Sequence, residues 1–279
     1  KIKKKEALFD TLLTDFQKIN EITFAPEQKQ AIIDALSNRV SIITGGPGTG
    51  KTTIIQAILQ IYCGLHGFSP YDDEAKNHVL LCAPTGKASK RMTEQTLFPA
   101  STIHRALGYN FENEFAYHEQ NNLFQKLIVI DEASMIDTIL ASHLFDAISV
   151  NAQIVIVGDV FQLPSIGPGA LLKDLIDSKV IPTTYLKTIF RQDEGSSIVA
   201  FSEMIKNGKI DDTVFNNNDL IYLPCDLYSA PEVLKDAINK MTYYGYNMLE
   251  DIQVLAPMYK GNMGIDYLNR LISDTYNQS

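Results

Sequence analysis

Gly45-Gly46-Pro47-Gly48-Thr49-Gly50-Lys51-Thr52 is an intact G-x-x-x-x-G-K-[ST] phosphate loop, and its flanks decide how the chain folds. The β-branched apolar run Val40-Ser41-Ile42-Ile43-Thr44 precedes it, and Thr53 to Tyr62 follows with apolar residues at helical spacing. Strand, loop and helix in this order are the context in which the pattern holds an anion. The glycines let successive backbone N–H groups turn inward with no Cβ in the way, and the following helix adds its positive dipole end. Lys51 can reach the β- and γ-phosphates, and the Thr52 hydroxyl can ligate Mg²⁺. The plain alternative, a chance glycine-rich turn, is disfavoured by both flanks. The segment is expected to bind a nucleoside triphosphate.

Outward from the loop, short apolar runs alternate with helical patterns, the signature of a mainly parallel α/β sheet. Strands are predicted over Val40–Thr44, Val79–Ala83, Leu127–Ile130, Gln153–Val157, Leu220–Leu223 and Ile252–Ala256. Helices are predicted over Pro26–Leu36, Lys51–Cys63, Lys87–Glu94, Thr138–Ile148, Ala170–Asp177, Ser196–Lys206, Pro231–Tyr243 and Ile265–Ile272. Phe68 to Asn77 and Asn110 to Asn122 read as polar loops. The predicted division is an N-terminal helix or linker over 1–21, an ATP-binding domain over 22–183, and part of a second domain over 184–279.

The 279 residues are 45% hydrophobic, enough for substantial cores, and no run approaches a membrane-spanning length. Cys63, Cys82 and Cys225 lie far apart without metal-ligand spacing, so they are expected to be reduced core residues of a cytoplasmic protein. A net charge of −9 argues against a surface that coats nucleic acid generally, but a local cleft is another matter. Between Lys76 and Phe111 five basic residues (Lys76, Lys87, Lys90, Arg91, Arg105) stand against one acid, Glu94. A solvated helix face explains that stretch equally well.

Leu127-Ile128-Val129-Ile130-Asp131-Glu132 is an apolar strand ending in two carboxylates. Strand C-termini of a parallel sheet line the ligand crevice, so both acids are expected to meet the phosphate loop there. Asp131 suits the Mg²⁺ shell, and Glu132 is placed to act as general base on water. A third strand ends in Gly158-Asp159 and runs on to Gln162, whose neutral amide can report a γ-phosphate. Asp159 reads equally as a turn former.

Taken in order, these segments resemble the RecD-like helicases of superfamily 1, the 5′→3′ subclass. The matching blocks are Phe24–Gln28, Gly45–Thr53, Ala83–Ala88 (Ala-Pro-Thr-Gly-Lys-Ala), Ser101–Arg105 (Ser-Thr-Ile-His-Arg), Asp131–Ser134, Gly158–Ser165, Phe190-Arg191-Gln192 and Val254–Gly264 with Leu268-Asn269. The resemblance implies two RecA-like domains, the second present only in part, and a motor that couples DNA-stimulated ATP hydrolysis to movement on single-stranded DNA and duplex unwinding in repair or recombination. It implies that Gly46, Pro47, Gly48, Thr49, Gly50, Lys51, Thr52 and Thr53 hold ATP with Mg²⁺, that Gln28 reads the adenine, and that Phe190 lies against its ring. Phe190 is otherwise an ordinary core aromatic. Arg191 is implied as an arginine finger, a planar guanidinium meeting charge spread over phosphate oxygens. Thr85, Lys87, Thr102 and His104 are implied to face single-stranded DNA, His104 being otherwise a structural histidine.

The blocks that close the family's second domain have no counterpart here, and the chain is expected to be a piece of a longer protein with partners in a repair or recombination complex. The rival reading is a non-hydrolysing ATP-binding scaffold module. A P-loop kinase or GTPase fits less well, since neither needs the Gln162 and Arg191 blocks.

Overall fold

Val40 to Gly45, the run entering the phosphate loop, forms strand β1 next to the edge of a six-stranded sheet. The structure is a computed structural model and describes residues 5–110, 112, 114–190, 196–216 and 219–276. With β2 (Val79–Ala83), β3 (Ala100–Thr102), β4 (Leu127–Ile130), β5 (Gln153–Gly158) and β6 (Thr183–Leu186), the order is β3-β2-β4-β5-β1-β6. Every neighbouring pair is parallel. This is the α/β architecture expected from the sequence.

Both faces of the sheet are covered, so the strands read as continuous apolar runs rather than alternating ones. Ile43, Leu81, Val129 and Val155 point to one face, where they pack with α1 (Glu6–Ile19), α2 (Pro26–Ser37), α3 (Lys51–His66), α4 (Asp73–His78) and α5 (Gly86–Thr96). Ile42, Cys82, Ile128, Ile130 and Ile156 point to the other, against α6 (Ile103–Ala106), α7 (Thr138–Ala147) and α8 (Leu171–Asp177). Helix α3, which starts at the phosphate loop, buries nine side chains and is apolar nearly all round. Each fully buried Ile there adds roughly 1.5–3 kcal/mol of transfer free energy.

The chain divides into two compact units, residues 1–192 and 193–279. Of the two forms expected for residues 1–21, helix or linker, Glu6–Ile19 take the helix. Phe9, Leu13 and Phe16 of α1 recur at helical spacing and are buried in the core of the first unit, Phe16 stacking on Phe24 at 5.7 Å. The boundary at 183/184 falls inside β6, which pairs with β1 from Ile42↔Thr183 to Gly45↔Leu186. Pro182 does not break this edge, because its carbonyl accepts from Ile42 N–H at 2.9 Å and a strand can start after it.

In the second unit the described residues form α9 (Ser197–Lys206), α10 (Ala230–Tyr243), α11 (Ile265–Tyr276) and a 3₁₀ turn over Asp212–Asn216. The strands predicted over Leu220–Leu223 and Ile252–Ala256 are not formed among them. A strand needs a hydrogen-bonded neighbour, and these runs belong to no ladder, with Ile221, Tyr222, Leu223 and Leu255 exposed. Cys225 is exposed in the same region, against expectation, whereas Cys63 and Cys82 are buried as free thiols.

Candidate functional site

The phosphate loop turns between β1 and α3, with Gly48 and Gly50 at φ +78° and +81°, where a Cβ is strained. Its shape is held from inside and outside. Thr49, buried, donates through Oγ1 to the Gly46 carbonyl at 2.8 Å. Lys51 Nζ donates to the carbonyls of Gly45 at 2.6 Å and Gly46 at 3.0 Å, which uses two of its three hydrogens. From outside, Phe190 N–H donates to the Gly48 carbonyl at 2.9 Å, and Gln28 Nε2 donates to the Thr49 carbonyl at 3.0 Å.

Residues 47–53 of this loop line a cavity of about 340 Å³ together with Asp131, Glu132, Gln162 and Phe190. Asp131 and Glu132 follow β4, and Gln162 lies in the loop after β5, so parallel register carries these side chains to the loop's end of the sheet. Burial pushes the Asp131 carboxyl up to about 6; the Glu132 amide bonded to it at 2.8 Å pulls it down, the Glu132 charge adds to the rise, and Lys51 and Arg91 oppose it. Burial likewise lowers the Lys51 ammonium, and Asp159, Asp131 and Glu132 counter it. Glu132 sits at φ +54°, an uncommon conformation for a residue with a side chain. It is the turn from β4 into the 3₁₀ turn Ala133–Met135 that imposes it.

Gln162 Oε1 accepts from Ser134 Oγ at 3.2 Å, tying the loop after β5 to the turn after β4. Asp159 behaves as the turn former: it is buried and accepts from Phe161 N–H at 3.0 Å, while its charge still bears on Lys51. The Thr52 hydroxyl and the Asp131 carboxylate are hard oxygen donors of the kind Mg²⁺ takes. Among the described residues no group of three or more His, Cys, Asp or Glu side chains could hold a metal ion.

Gln28, Phe190 and Arg191 stand differently towards the cavity. Gln28 does not line the cavity: it is buried at 4% exposure, its Oε1 accepts from Ala25 N–H at 3.0 Å, and its Nε2 serves Thr49. Capping α2 and bracing the loop leaves it little surface to offer a base. Phe190 is not core; it is about half exposed at the cavity. Arg191 lies outside the described residues.

Of the residues expected to face DNA, Thr85 and Lys87 line an adjoining cavity of about 410 Å³ that shares Arg91, Glu132 and Gln162 with the first. Thr85 Oγ1 also caps α5 by accepting from Ala88 N–H, and Thr102 Oγ1 caps α6 by accepting from Arg105 N–H, each at 3.2 Å. His104 packs beside Tyr109 and Phe115 and is exposed. Thr102 and His104 are not among the residues lining either cavity. Arg91, which the sequence reading noted only as part of a basic stretch, lines both, and its spacing from Lys87 on one helix was the available signal.

The parallel sheet and the loop at its C-terminal edge define a P-loop α/β protein. Residues 28–168 match the family described as "AAA domain", and the chain belongs to it. Its relatives are RecD-like helicases. It is 30% identical over 252 residues to the ATP-dependent RecD2 DNA helicase of Deinococcus radiodurans, covering 90% of this chain and 32% of that protein. It is 29% identical to the RecBCD enzyme subunit RecD of Haemophilus influenzae, covering 86% of this chain and 46% of that one. For the RecD subunit of Mycobacterium tuberculosis the identity is 34%, over 65% of this chain and 34% of the other. The chain thus spans a third to a half of these relatives' length. A solved Pif1 helicase from Candida albicans shares the fold, with a TM-score of 0.50 and 20% identity over 81% of this chain and 56% of that one.

Proposed function

We propose that the chain is the ATP-hydrolysing motor segment of a DNA helicase that moves 5′→3′ on single-stranded DNA and separates duplex during repair or recombination. One observation carries the reading: the phosphate loop, Asp131, Glu132, Gln162 and Phe190, spread over about 140 residues of sequence, line one cavity. The loop N–H groups and Lys51 bind the phosphates, and Phe190 lies against the base. Glu132 accepts a proton from the attacking water, and Gln162 positions that water or the γ-phosphate. Mg²⁺, when bound through Thr52 and Asp131, neutralises phosphate charge. Arg191 stabilises the charge of the transferring phosphoryl group, as the resemblance implies.

Thr85, Lys87, Thr102 and His104 are proposed to grip the DNA strand through phosphates rather than bases. The names of two relatives as RecBCD subunits support protein partners, and a cytoplasmic place goes with this reading. No helix among the described residues is long and apolar enough to cross a membrane.

The test is ATP hydrolysis with and without single-stranded DNA, on this chain and on the complete reading frame that contains it. DNA is expected to stimulate turnover, Lys51→Ala to abolish it, and DNA affinity to fall steeply with salt. Turnover indifferent to DNA and to Lys51→Ala would sink the motor. Displacement of a strand from a duplex with a 5′ tail, but not a 3′ tail, decides direction. The rival, a non-hydrolysing ATP-binding module, is favoured by the sparse second unit, and predicts nucleotide binding without turnover under every condition.

A further inference from the structure

Helix α5 turns one edge to the nucleotide cavity. Ala88, Arg91, Met92 and Gln95 line it at helical spacing, while Lys87 and Arg91, one turn apart, line the adjoining cavity. Arg91 is exposed and makes no ion pair among the described residues, whereas Lys90 beside it is paired with Glu94 at 3.9 Å.

The charged side chains lining the nucleotide cavity balance, Lys51 and Arg91 against Asp131 and Glu132. A triphosphate brings more negative charge than one Mg²⁺ cancels, so further cations are needed on its phosphates. Lys51 already commits two of its three hydrogens to the Gly45 and Gly46 carbonyls. Among the described residues Arg91 is the other cation on the cavity wall. Its charge is felt at the end that Lys51 and Asp131 occupy: burial foremost lowers the Lys51 ammonium, and Arg91 adds to that, while burial foremost raises the Asp131 carboxyl, and Arg91 works against it. That end is where Lys51 reaches the β- and γ-phosphates of a triphosphate seated in the loop. A guanidinium presents parallel N–H groups that suit two oxygens of one phosphate.

We infer that Arg91, supplied in cis by α5, binds the γ-phosphate of the triphosphate beside Lys51. This rests on the reading of the loop as a triphosphate site. Its exposure makes the substitution mild for the fold, since the buried Ser89 and Met92 of the same helix stay in place. The wild-type chain, Arg91→Gln and Arg91→Lys are titrated calorimetrically with Mg²⁺ and a nonhydrolysable ATP analogue, and separately with Mg²⁺ and ADP. Binding of labelled oligothymidylate without nucleotide is followed by fluorescence anisotropy on the same three proteins.

The deciding quantity is the ratio of analogue affinity to ADP affinity. In Arg91→Gln it should fall about tenfold, because a charge-assisted contact to the γ-phosphate is lost and ADP has no group there. Arg91→Lys keeps the charge without the planar fork, and its ratio should lie between those of the wild type and Arg91→Gln. An unchanged ratio in Arg91→Gln overturns the inference, whether both nucleotides weaken equally or neither does. If oligothymidylate affinity falls while that ratio holds, Arg91 belongs instead to a strand in the adjoining cavity. A wild-type chain that binds neither nucleotide would remove the triphosphate reading itself.

Discussion

Glu132, proposed as the general base, has a left-handed backbone that its neighbours impose. Its amide is committed to Asp131, so the backbone stays put when the side chain is changed. Glu132→Gln is therefore expected to slow single-turnover hydrolysis by roughly 10²–10⁴-fold, with nucleotide affinity altered only a few-fold. Phe190 invites the opposite experiment. Its backbone N–H braces the loop whatever the side chain is, while its half-exposed ring borders the cavity. Phe190→Ala should weaken ATP by about 5- to 100-fold and leave inorganic tripolyphosphate untouched. Gln28 and Phe190 could both be singled out from sequence. That one is braced inside and the other open at the rim could not, because a glutamine or a phenylalanine in a short block carries no sign of its own burial.

Helix α1 shows how an element's role depends on its stripe. Phe9, Leu13 and Phe16 present one apolar edge, and Phe16 is 2% exposed. Phe16→Ala should cost about 3–5 kcal/mol of the first unit's stability, read as a fall in the urea midpoint at constant m-value. A shift below 1 kcal/mol would return the helix to the status of a linker. Helix α2 holds a pH-sensitive tie. The Thr188 hydroxyl, foremost, keeps the Glu27 carboxyl below its usual 4.5, with Glu27's own backbone and the Thr188 amide acting the same way. A depressed acid contributes its stabilisation above the unfolded value and loses it as pH falls through the folded one. Exchange of the Thr188 amide, corrected for intrinsic rate, should therefore accelerate as pH drops below about 4.5 in the wild type and show no such step in Glu27→Gln. All eight helices predicted from apolar spacing formed, as α2, α3, α5, α7, α8, α9, α10 and α11. Strand β3 was missed because three residues are too few to show a period, and α4 because Asp73–His78 is polar except for Ala75.

Across the whole chain, stability is unevenly distributed. The first unit buries both faces of a six-stranded sheet, whereas the buried apolar side chains of the second are few, among them Val214, Ala230, Ile238 and Leu268. The second unit is expected to open first: hydrogen exchange should be fast through Ile221–Leu223 and Ile252–Ala256 and slow in β1, β4 and β5, with a separate, lower thermal transition for residues 193–279. A single cooperative transition with uniform protection would contradict this. The sequence by itself determined the phosphate loop, the four central strands and the two carboxylates at the end of β4, because each is a local pattern whose spacing states its geometry. The tertiary structure alone decided that α1 and β6 belong to the first unit, that Gln28 faces the loop's peptides, and that Arg91 joins the cavity. Those outcomes depend on which surfaces and sheet edges residues far apart in the chain find to pack and pair against, and no local pattern encodes them.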